Sequence, residues 1–289
     1  MDVVPYAFCD DVCAVVKDLD PLVKLPLDIS NCGIWNAAAV ATDERRVTVD
    51  VHVKCQDGVC SYRICKTAKN EAIPLTFQEL KAINRCCVRT SSVGIGTWSG
   101  LGNSHTSTVD ELREILKYSA PSVNSAQMWI SNDILAEEFS LSLFYNLSFY
   151  EIRTFSYSKA AEEFLRIQLQ SEGLKIIDIR DHGWSEELRV SVERFALTKS
   201  FTSVDVNDSL VFGLKFLKKL LRTSCRHDWF TFRARFGVKF REVRELKKEM
   251  QVQNDEDTIV WRRRDGAEIQ ISHCLDGRLY IRVVVKTES

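Results

Sequence analysis

The sequence predicts a mixed α/β fold that is built from repeated strand–helix units. From Ala126 onward, short runs of β-forming residues alternate with runs whose apolar residues recur at helical spacing. One central residue from each β-like run marks the repeat: Met128, Ile152, Ile177, Val204, Phe232 and Val260. Subtracting these residue numbers gives steps of 24, 25, 27, 28 and 28 residues. The chain of 289 residues is 45% hydrophobic and 27% charged, which is the composition of a folded protein with a sizeable core.

The repeat length and the strand pattern together indicate the type of repeat. Steps of this size fall within the range of about 20–29 residues that leucine-rich repeats use. Leu174-x-x-Ile177-x-Ile179 and Phe201-x-x-Val204-x-Val206 both match the L-x-x-L-x-L strand pattern of such repeats. We therefore expect an irregular, leucine-rich-repeat-like solenoid with parallel strands and helices outside them. The predicted strands span residues 126–131, 150–155, 174–180, 202–207, 229–235 and 258–262.

Helix signals lie between these strands. Thr108 and Glu111 are spaced as a capping box just before Leu112, the first residue of an apolar helical pattern. Ser158 and Ser185 are placed to cap the two helices that follow. A further helix is predicted from the apolar spacing of Leu210, Leu214, Leu217 and Leu221. Each helix is expected to return the chain for the next parallel strand.

Two hairpins interrupt the repeat. The first is predicted from residues 47–56 and 59–66 with a turn at Asp57-Gly58, and the second from residues 268–274 and 279–286 with a turn at Asp276-Gly277. These signals divide the chain into four parts. They are a helical module at 1–44, a β-hairpin connector at 45–70, an α/β repeat region at 71–266 and a C-terminal hairpin cap at 267–289.

The N-terminal part carries a pattern of its own. Val4-Pro5-x-x-Phe8-x-x-x-Val12-x-x-Val15-Val16 is followed by Leu19-Asp20-Pro21-Leu22-x-x-Leu25 and then by Trp35. The early proline, the apolar residues at helical spacing, the Leu-Asp-Pro turn and the closing tryptophan resemble a degenerate F-box. With the late segment Thr258-Ile259-Val260-Trp261-Arg262-Arg263-Arg264-Asp265-Gly266, the whole chain resembles the nematode-expanded F-box-like proteins that have a divergent leucine-rich-repeat-like C-terminal region.

This resemblance implies a substrate receptor of a cullin–RING (SCF-type) ubiquitin ligase. Such a receptor has no catalytic residue, because the chemistry belongs to other subunits of the ligase. The module at 1–44 would bind the adaptor subunit, and the repeat sheet would bind a protein substrate that the sequence does not identify. The implied adaptor-binding residues are Pro5, Phe8, Val12, Val16, Leu19, Leu22 and Trp35. The alternative is that these apolar residues form a small helical cap, which would leave an orphan interaction protein without adaptor binding.

Alternation along the predicted strands also points to a recognition surface. In an L-x-x-L-x-L strand the apolar residues point into the core, so the residues between them lie on the open side of the sheet. These residues are Arg153, Asp178, Arg180, Asp205, Asn207, Arg233 and Arg235. The order predicts a gradient from acidic middle repeats to basic late ones, which would orient a protein partner. The alternative is that these residues form an ordinary solvated face.

Neither a catalytic residue nor a metal or cofactor site is predicted. The five histidines have no nucleophile partner that is readable from spacing, and the cysteines around Cys55 lack the C-x-x-C pairs that metal sites prefer. The Asp57-Gly58 turn would instead set Cys55 opposite Cys60, either as two reduced thiols or as a redox pair.

Composition bounds the compartment and the partners. The scattered cysteines, the acidic N-terminus and the lack of an apolar run of about 18 residues predict a protein of the cytoplasm or nucleus that does not enter a membrane. Basic residues and aromatic residues interleave within 222–264, so nucleic-acid binding is an alternative function. The sequence favours it less than protein recognition, because Glu242, Glu245 and Glu249 neutralise part of that stretch.

Overall fold

The computed structural model describes most of the chain in two compact units, Met1–Ala126 and Gln127–Ser289. The described residues are 9, 12, 32–56, 59–68, 71–84, 87–96, 104–120, 126–131, 141–198, 201–207, 209–223, 229–246, 251–254, 257–262, 268–273 and 278–284. Both units combine helices with strands, which confirms the mixed α/β class.

The first unit contains a sheet with both parallel and antiparallel pairs. Its elements are α1 (Cys32–Arg45), β1 (Val47–Gln56), β2 (Val59–Ala68), β3 (Glu71–Leu75), α2 (Phe77–Ala82), β4 (Val88–Ile95), β5 (His105–Ser107) and α3 (Val109–Ser119). The strand order is β4-β1-β2-β3, and β5 pairs with β2 beside β3. The β1–β2 pair is the predicted hairpin, with Gln56 opposite Val59. Sequence analysis did not predict that β4 would run parallel to β1, because that pairing joins residues about 40 positions apart.

The second unit holds the repeated strand–helix segments. Its elements are β6 (Gln127–Ile130), a 3-10 turn (Leu141–Phe144), β7 (Glu151–Thr154), α4 (Lys159–Gln168), β8 (Ile176–Ile179), α5 (Glu186–Thr198), β9 (Ser203–Val206), β10 (Val211–Phe212), α6 (Leu214–Thr223), β11 (Trp229–Phe236), α7 (Phe240–Arg244), β12 (Gln251–Asn254), β13 (Thr258–Arg262), β14 (Glu268–His273) and β15 (Arg278–Val284). The strand order is β12-β13-β14-β15-β11-β9-β8-β7-β6, and β10 pairs with β11.

Parallel pairing is confirmed for the first five predicted repeat strands and is wrong for the sixth. Strands β6, β7, β8, β9 and β11 pair in parallel and in sequence order. By contrast, β13 is antiparallel to both β12 and β14. The C-terminal hairpin β14–β15 forms as predicted, and β15 also pairs antiparallel with β11. Among the described residues between β11 and β13, the only helix is the five-residue α7, which is too short to carry the chain back across the sheet.

The helix caps follow the sequence with two corrections. Ser158 and Ser185 accept the predicted hydrogen bonds from the backbone N–H groups of Ala161 and Leu188. The Thr108 side chain accepts a hydrogen bond from the backbone N–H of Glu111. The Glu111 carboxylate, however, accepts a hydrogen bond from the Ser107 hydroxyl group, so the predicted capping box is not completed. Leu210 is buried but precedes the helix that it was predicted to share with Leu214, because α6 begins only at Leu214. The two-residue strand β10 thus occupies part of the predicted helix.

A cluster of phenylalanines forms the core beneath β11. Phe232 is fully buried and its ring packs against the rings of Phe201, Phe212, Phe216 and Phe236 at centroid distances of 5.5–6.4 Å. Phe216 belongs to α6, so this contact fixes that helix against the sheet. The buried residues Ile152, Ile177 and Val204 continue the same face along β7, β8 and β9. The helices therefore cover one face of the parallel strands, and alternate residues lie on the other.

We predict that Phe232→Ala lowers the free energy of unfolding by about 3–5 kcal/mol, because it leaves a cavity among four aromatic rings. Phe155→Ala is the matched control, since the Phe155 side chain is 44% exposed, and it should change stability by about 0.5 kcal/mol or less. Chemical denaturation followed by circular dichroism measures both values. Equal effects of the two substitutions would contradict the core assignment.

Candidate functional site

The face of the parallel strands opposite the helices carries an ordered array of polar and aromatic side chains. We call this surface the polar face and define it by Trp129, Arg153, Asp178, Arg180, Asp205, Asn207, Arg233, Arg235, Arg278, Tyr280 and Arg282. All of the residues predicted for the open side of the sheet lie on it, and each is at least partly exposed. Their neighbours in each strand, such as Ile177, Val204 and Phe232, are buried. Whether the polar face binds a partner stays a prediction.

Strand register assembles a continuous row across the polar face. Trp129 pairs with Arg153, Arg153 with Asp178, and Asp178 with Asp205. The row then continues from Asp205 to Arg233 on β11 and from Arg233 to Tyr280 on β15. Adjacent strands lie about 4.8 Å apart, so consecutive residues of the row are direct neighbours on the surface.

Ion pairs hold the side chains of the row in place. Arg180 donates to both carboxylate oxygens of Asp178, with Nη2 at 2.9 Å from Oδ2, and its second partner is Asp205. Arg153 donates through Nε to the buried carboxylate of Glu151, and its guanidinium group lies 5.8 Å from the ring centroid of Trp129. A bidentate pair and a cation–π contact restrict the rotamers of these long side chains, so this surface is ordered before any partner binds.

Asp205 is the centre of the charge network. Its Oδ1 lies 3.3 Å from Arg278 Nη1, and its Oδ2 lies 3.7 Å from Arg180 Nη2 and 3.8 Å from Arg233 Nη1. The Asp205 side chain is 22% exposed, and its burial raises the pKa of the carboxyl group above the ordinary value. The three arginines oppose this shift and the neighbouring Asp178 adds to it. Hydrogen bonding to Asp178 raises the pKa of Arg180, which stays charged.

The charge pattern differs from the gradient that the sequence predicted. The acidic residues do lie in the middle strands, but Asp178 is paired with Arg180, and Asp205 is shared among three arginines. The face therefore changes from nearly neutral at β7 and β8 to basic at β11 and β15. Sequence analysis missed Arg278, Tyr280 and Arg282 because the position of β15 beside β11 is not readable from the repeat. Alternation within the predicted C-terminal hairpin was the available signal. Sequence analysis also missed Trp129, although alternation along the predicted strand 126–131 places this residue on the open side.

The predicted adaptor-binding residues are largely beyond the described part of the chain. Pro5, Phe8, Val16, Leu19 and Leu22 lie outside the described residues. Val12 is helical and half-buried, and Trp35 is half-buried in α1.

The cysteines and histidines that the sequence singled out are not part of the polar face, and the structure describes several of them. Cys60 is disulfide-bonded, and the β1–β2 register sets the backbone of Cys55 opposite it. His52 is partly buried, and desolvation lowers its pKa. The ring of His105 packs at a tilt against Tyr62, with 5.3 Å between centroids, and the ring of His273 stacks on Phe240 at 5.6 Å. Among the described residues, no group of three or more His, Cys, Asp or Glu side chains is arranged to hold a metal ion.

An open groove of about 860 Å³ lies on the helix side, between α4 and α5. Both acidic and basic side chains line it, among them Glu163, Arg166, Glu187 and Arg194. Such a mixture has no dominant charge and no convergent set of polar groups, which ligand sites usually provide. The polar face is therefore the stronger candidate site.

Comparisons with known proteins add little. No family model and no curated protein matches this chain. One solved structure is weakly similar: the MycE methyltransferase from the mycinamycin biosynthetic pathway, in complex with Mg, SAH and mycinamycin VI. It has 8% sequence identity and a TM-score of 0.20, over 99% of this chain and 94% of that one. A similarity at this level carries no argument about fold or activity. Within the described residues, no helix is both long and apolar enough to cross a membrane.

We predict that the pKa of Asp205 lies above the ordinary aspartate value of about 3.9. The substitution Arg278→Gln should raise this pKa further, because it removes a guanidinium group that favours the charged carboxylate. A raised folded-state pKa means that the contribution of Asp205 to stability is largest below the unfolded pKa and is lost as the pH rises through the folded one. Carbon-detected NMR titration of the carboxyl group gives the pKa directly.

Arg262→Gln is the control for this titration, because Arg262 pairs with Glu268 on the antiparallel strands and should leave the Asp205 pKa unchanged. A lower Asp205 pKa in the Arg278 variant would contradict the charge network described above.

Proposed function

We propose that this chain is a non-enzymatic recognition protein that binds another protein on the polar face. The observation that carries the proposal is the continuous cross-strand row of Trp129, Arg153, Asp178, Asp205, Arg233 and Tyr280. Tryptophan, tyrosine and arginine are the residues that most often dominate binding energy at protein interfaces. An ordinary solvated face has no need of aromatic residues at both ends of its central row.

The local order of this surface supports the same proposal. The guanidinium groups of Arg153, Arg180 and Arg233 are held by Glu151, Asp178 and Asp205, yet their side chains remain 34–42% exposed. Side chains that are already fixed lose less conformational entropy when a partner binds. Arg153 and Arg233 also sit on strands, and Arg180 directly follows one. Strands position binding groups more accurately than loops do.

A leucine-rich-repeat-like origin of the second unit is part of the proposal. Parallel strands in sequence order, each joined to the next by a helix or a longer segment, are what such a repeat requires. The antiparallel strands β12 to β15 would then be a C-terminal addition that pairs, through β15, with the edge of the last repeat strand, β11. In curved repeat arrays the sheet surface commonly binds the partner, which agrees with a binding role for the polar face.

The resemblance to F-box-like proteins suggests in which complex this recognition takes place. We propose that residues 1–44 bind the adaptor subunit of an SCF-type ubiquitin ligase and that the polar face binds the protein to be ubiquitinated. An orphan interaction protein, which binds its partner without an adaptor, is the alternative within the same class.

Nucleic-acid binding through residues 222–264 is a poorer fit to the described residues. Phe230, Phe232 and Trp261 are at most 1% exposed, so these aromatic rings cannot stack on bases while the protein is folded. The arginines of the stretch are also divided: Arg233 and Arg235 lie on the polar face, whereas Arg222 is on α6 and Arg244 lies over the ring of Phe240 on α7. We therefore favour a protein partner.

Charge reversal tests the polar face. We predict that the Arg233→Glu, Arg235→Glu double variant reduces labelling of the partner by roughly tenfold or more in cellular proximity labelling, since each hot-spot arginine contributes more than about 1 kcal/mol. The Arg166→Glu, Arg194→Glu double variant makes the same charge change on the exposed helix side and should label the wild-type set of proteins. An unchanged profile from a folded Arg233, Arg235 variant would exclude this face as the recognition surface.

A pull-down tests the adaptor. We predict that the ligase adaptor is recovered with the wild type and is lost, by about tenfold or more, with the Val12→Asp, Val16→Asp double variant, because two carboxylates would disrupt the proposed apolar interface with the adaptor. The control is Val59→Asp, Val190→Asp, which places two carboxylates at side chains that are 58% and 42% exposed. If the wild type recovers no adaptor, the ligase role fails and the orphan interaction protein remains.

A further inference from the structure

The basic end of the polar face contains an arrangement that its own stability does not require. Arg235 on β11 lies directly opposite Arg278 on β15, in an antiparallel pair. Like charges at directly opposed positions of a sheet destabilise it. Arg233 lies on β11, two residues before Arg235, and Arg282 lies on β15, four residues after Arg278. Both are on the same face of the sheet as Arg235 and Arg278. Four guanidinium groups from two adjacent strands are thus concentrated on one part of the surface.

Among the described residues, the carboxylates near these arginines offset only part of this charge. Asp178 is engaged in the bidentate pair with Arg180. Asp205 is shared among Arg278, Arg180 and Arg233, at 3.3, 3.7 and 3.8 Å. Arg235 and Arg282 are both exposed. Within the part of the chain that the structure describes, the basic end therefore has an excess of positive charge, and Arg235 and Arg282 expose it to solvent.

The spacing of these arginines favours an extended ligand over a single anionic group. Residues two positions apart on one face of a strand are about 6.6–6.8 Å apart, which applies to Arg233 and Arg235. Carboxylates at every second residue of an extended peptide have the same spacing. A single phosphate group would contact one or two of the guanidinium groups and leave the others unmatched.

We infer that the polar face binds an extended acidic segment of its protein partner, with alternate Asp or Glu carboxylates at Arg233, Arg235, Arg278 and Arg282. Asp205 acts as an internal competitor for the same guanidinium groups and limits the affinity. The inference rests on the proposed recognition function and names the chemistry of the partner. It requires no second site and no change in the fold.

Direct titration of the full chain tests the inference with defined peptides. The probe is a fluorescein-labelled peptide of eight residues in which Glu and Ser alternate, and the reference peptide has Gln in place of Glu. At low salt the wild type should bind the Glu-Ser peptide at least about tenfold more tightly than the Gln-Ser peptide. This difference in affinity should become smaller as the salt concentration increases. Asp205→Asn should bind the Glu-Ser peptide more tightly than the wild type, by about threefold or more, because the competing charge is gone.

Removal of the exposed arginines gives the opposite result. The Arg235→Gln, Arg282→Gln variant should lose about tenfold in affinity for the Glu-Ser peptide, whereas Arg166→Gln, Arg194→Gln should bind it as the wild type does. Thermal melting separates binding from folding. The Arg235, Arg282 variant should melt no lower than the wild type because it relieves the Arg235–Arg278 repulsion, so it remains informative even if Asp205→Asn fails to fold.

Three outcomes would overturn the inference. They are equal wild-type affinities for the Glu-Ser and Gln-Ser peptides, unchanged affinity in the Arg235, Arg282 variant, and tighter binding of a Gln-Ser peptide that carries one phosphoserine. If one of these occurs while charge reversal at Arg233 and Arg235 still changes the labelled partners, the recognition function stands and only the acidic segment is excluded. If the labelled partners are also unchanged, both proposals fail.

Discussion

The in-register pairing of the parallel strands is the constraint on which the rest of the second unit depends. Ile152, Ile177, Val204 and Phe232 pair across four strands and form one buried row. Because side chains alternate along a strand, this apolar row forces Arg153, Asp178, Asp205 and Arg233 into a second row on the other face. A slip of one residue in any strand would bury a charge and expose an apolar side chain. The core thus selects the register, and the register assembles the charge network.

The helices reinforce this register from the opposite side. Glu162, in the first turn of α4, accepts hydrogen bonds from the backbone N–H and the hydroxyl group of Ser185. Ser185 in turn caps α5, so the start of one helix is tied to the start of the next. At the far end, Phe216 of α6 packs into the ring cluster around Phe232. These contacts fix where each helix returns the chain, and hence where each strand begins.

Local patterns allowed much of the second unit to be predicted, and non-local pairing accounts for what was missed. The predicted bounds of β7 to β9 agree with the structure to within two residues, because alternation and capping are properties of short segments. The antiparallel direction of β13 and the pairing of β4 with β1 were missed, since both depend on contacts between distant residues. Seven residues of the polar face were predicted from alternation alone. Arg278, Tyr280 and Arg282 were not, because nothing in the repeat places β15 beside β11.

Strand β15, whose place beside β11 was not predicted, decides the electrostatic character of the polar face. In the repeat strands, every carboxylate has an arginine partner within its own strand or the next: Glu151 with Arg153, Asp178 with Arg180, Asp205 with Arg233. Strand β15 then brings Arg278 to Asp205 and adds Arg282, without bringing a carboxylate to the face among its described residues. The repeat alone would give a nearly balanced surface with only Arg235 in excess. The pairing of a non-repeat strand with the last repeat strand is what makes one end of that surface basic, and this asymmetry gives the face a direction in which a partner can bind.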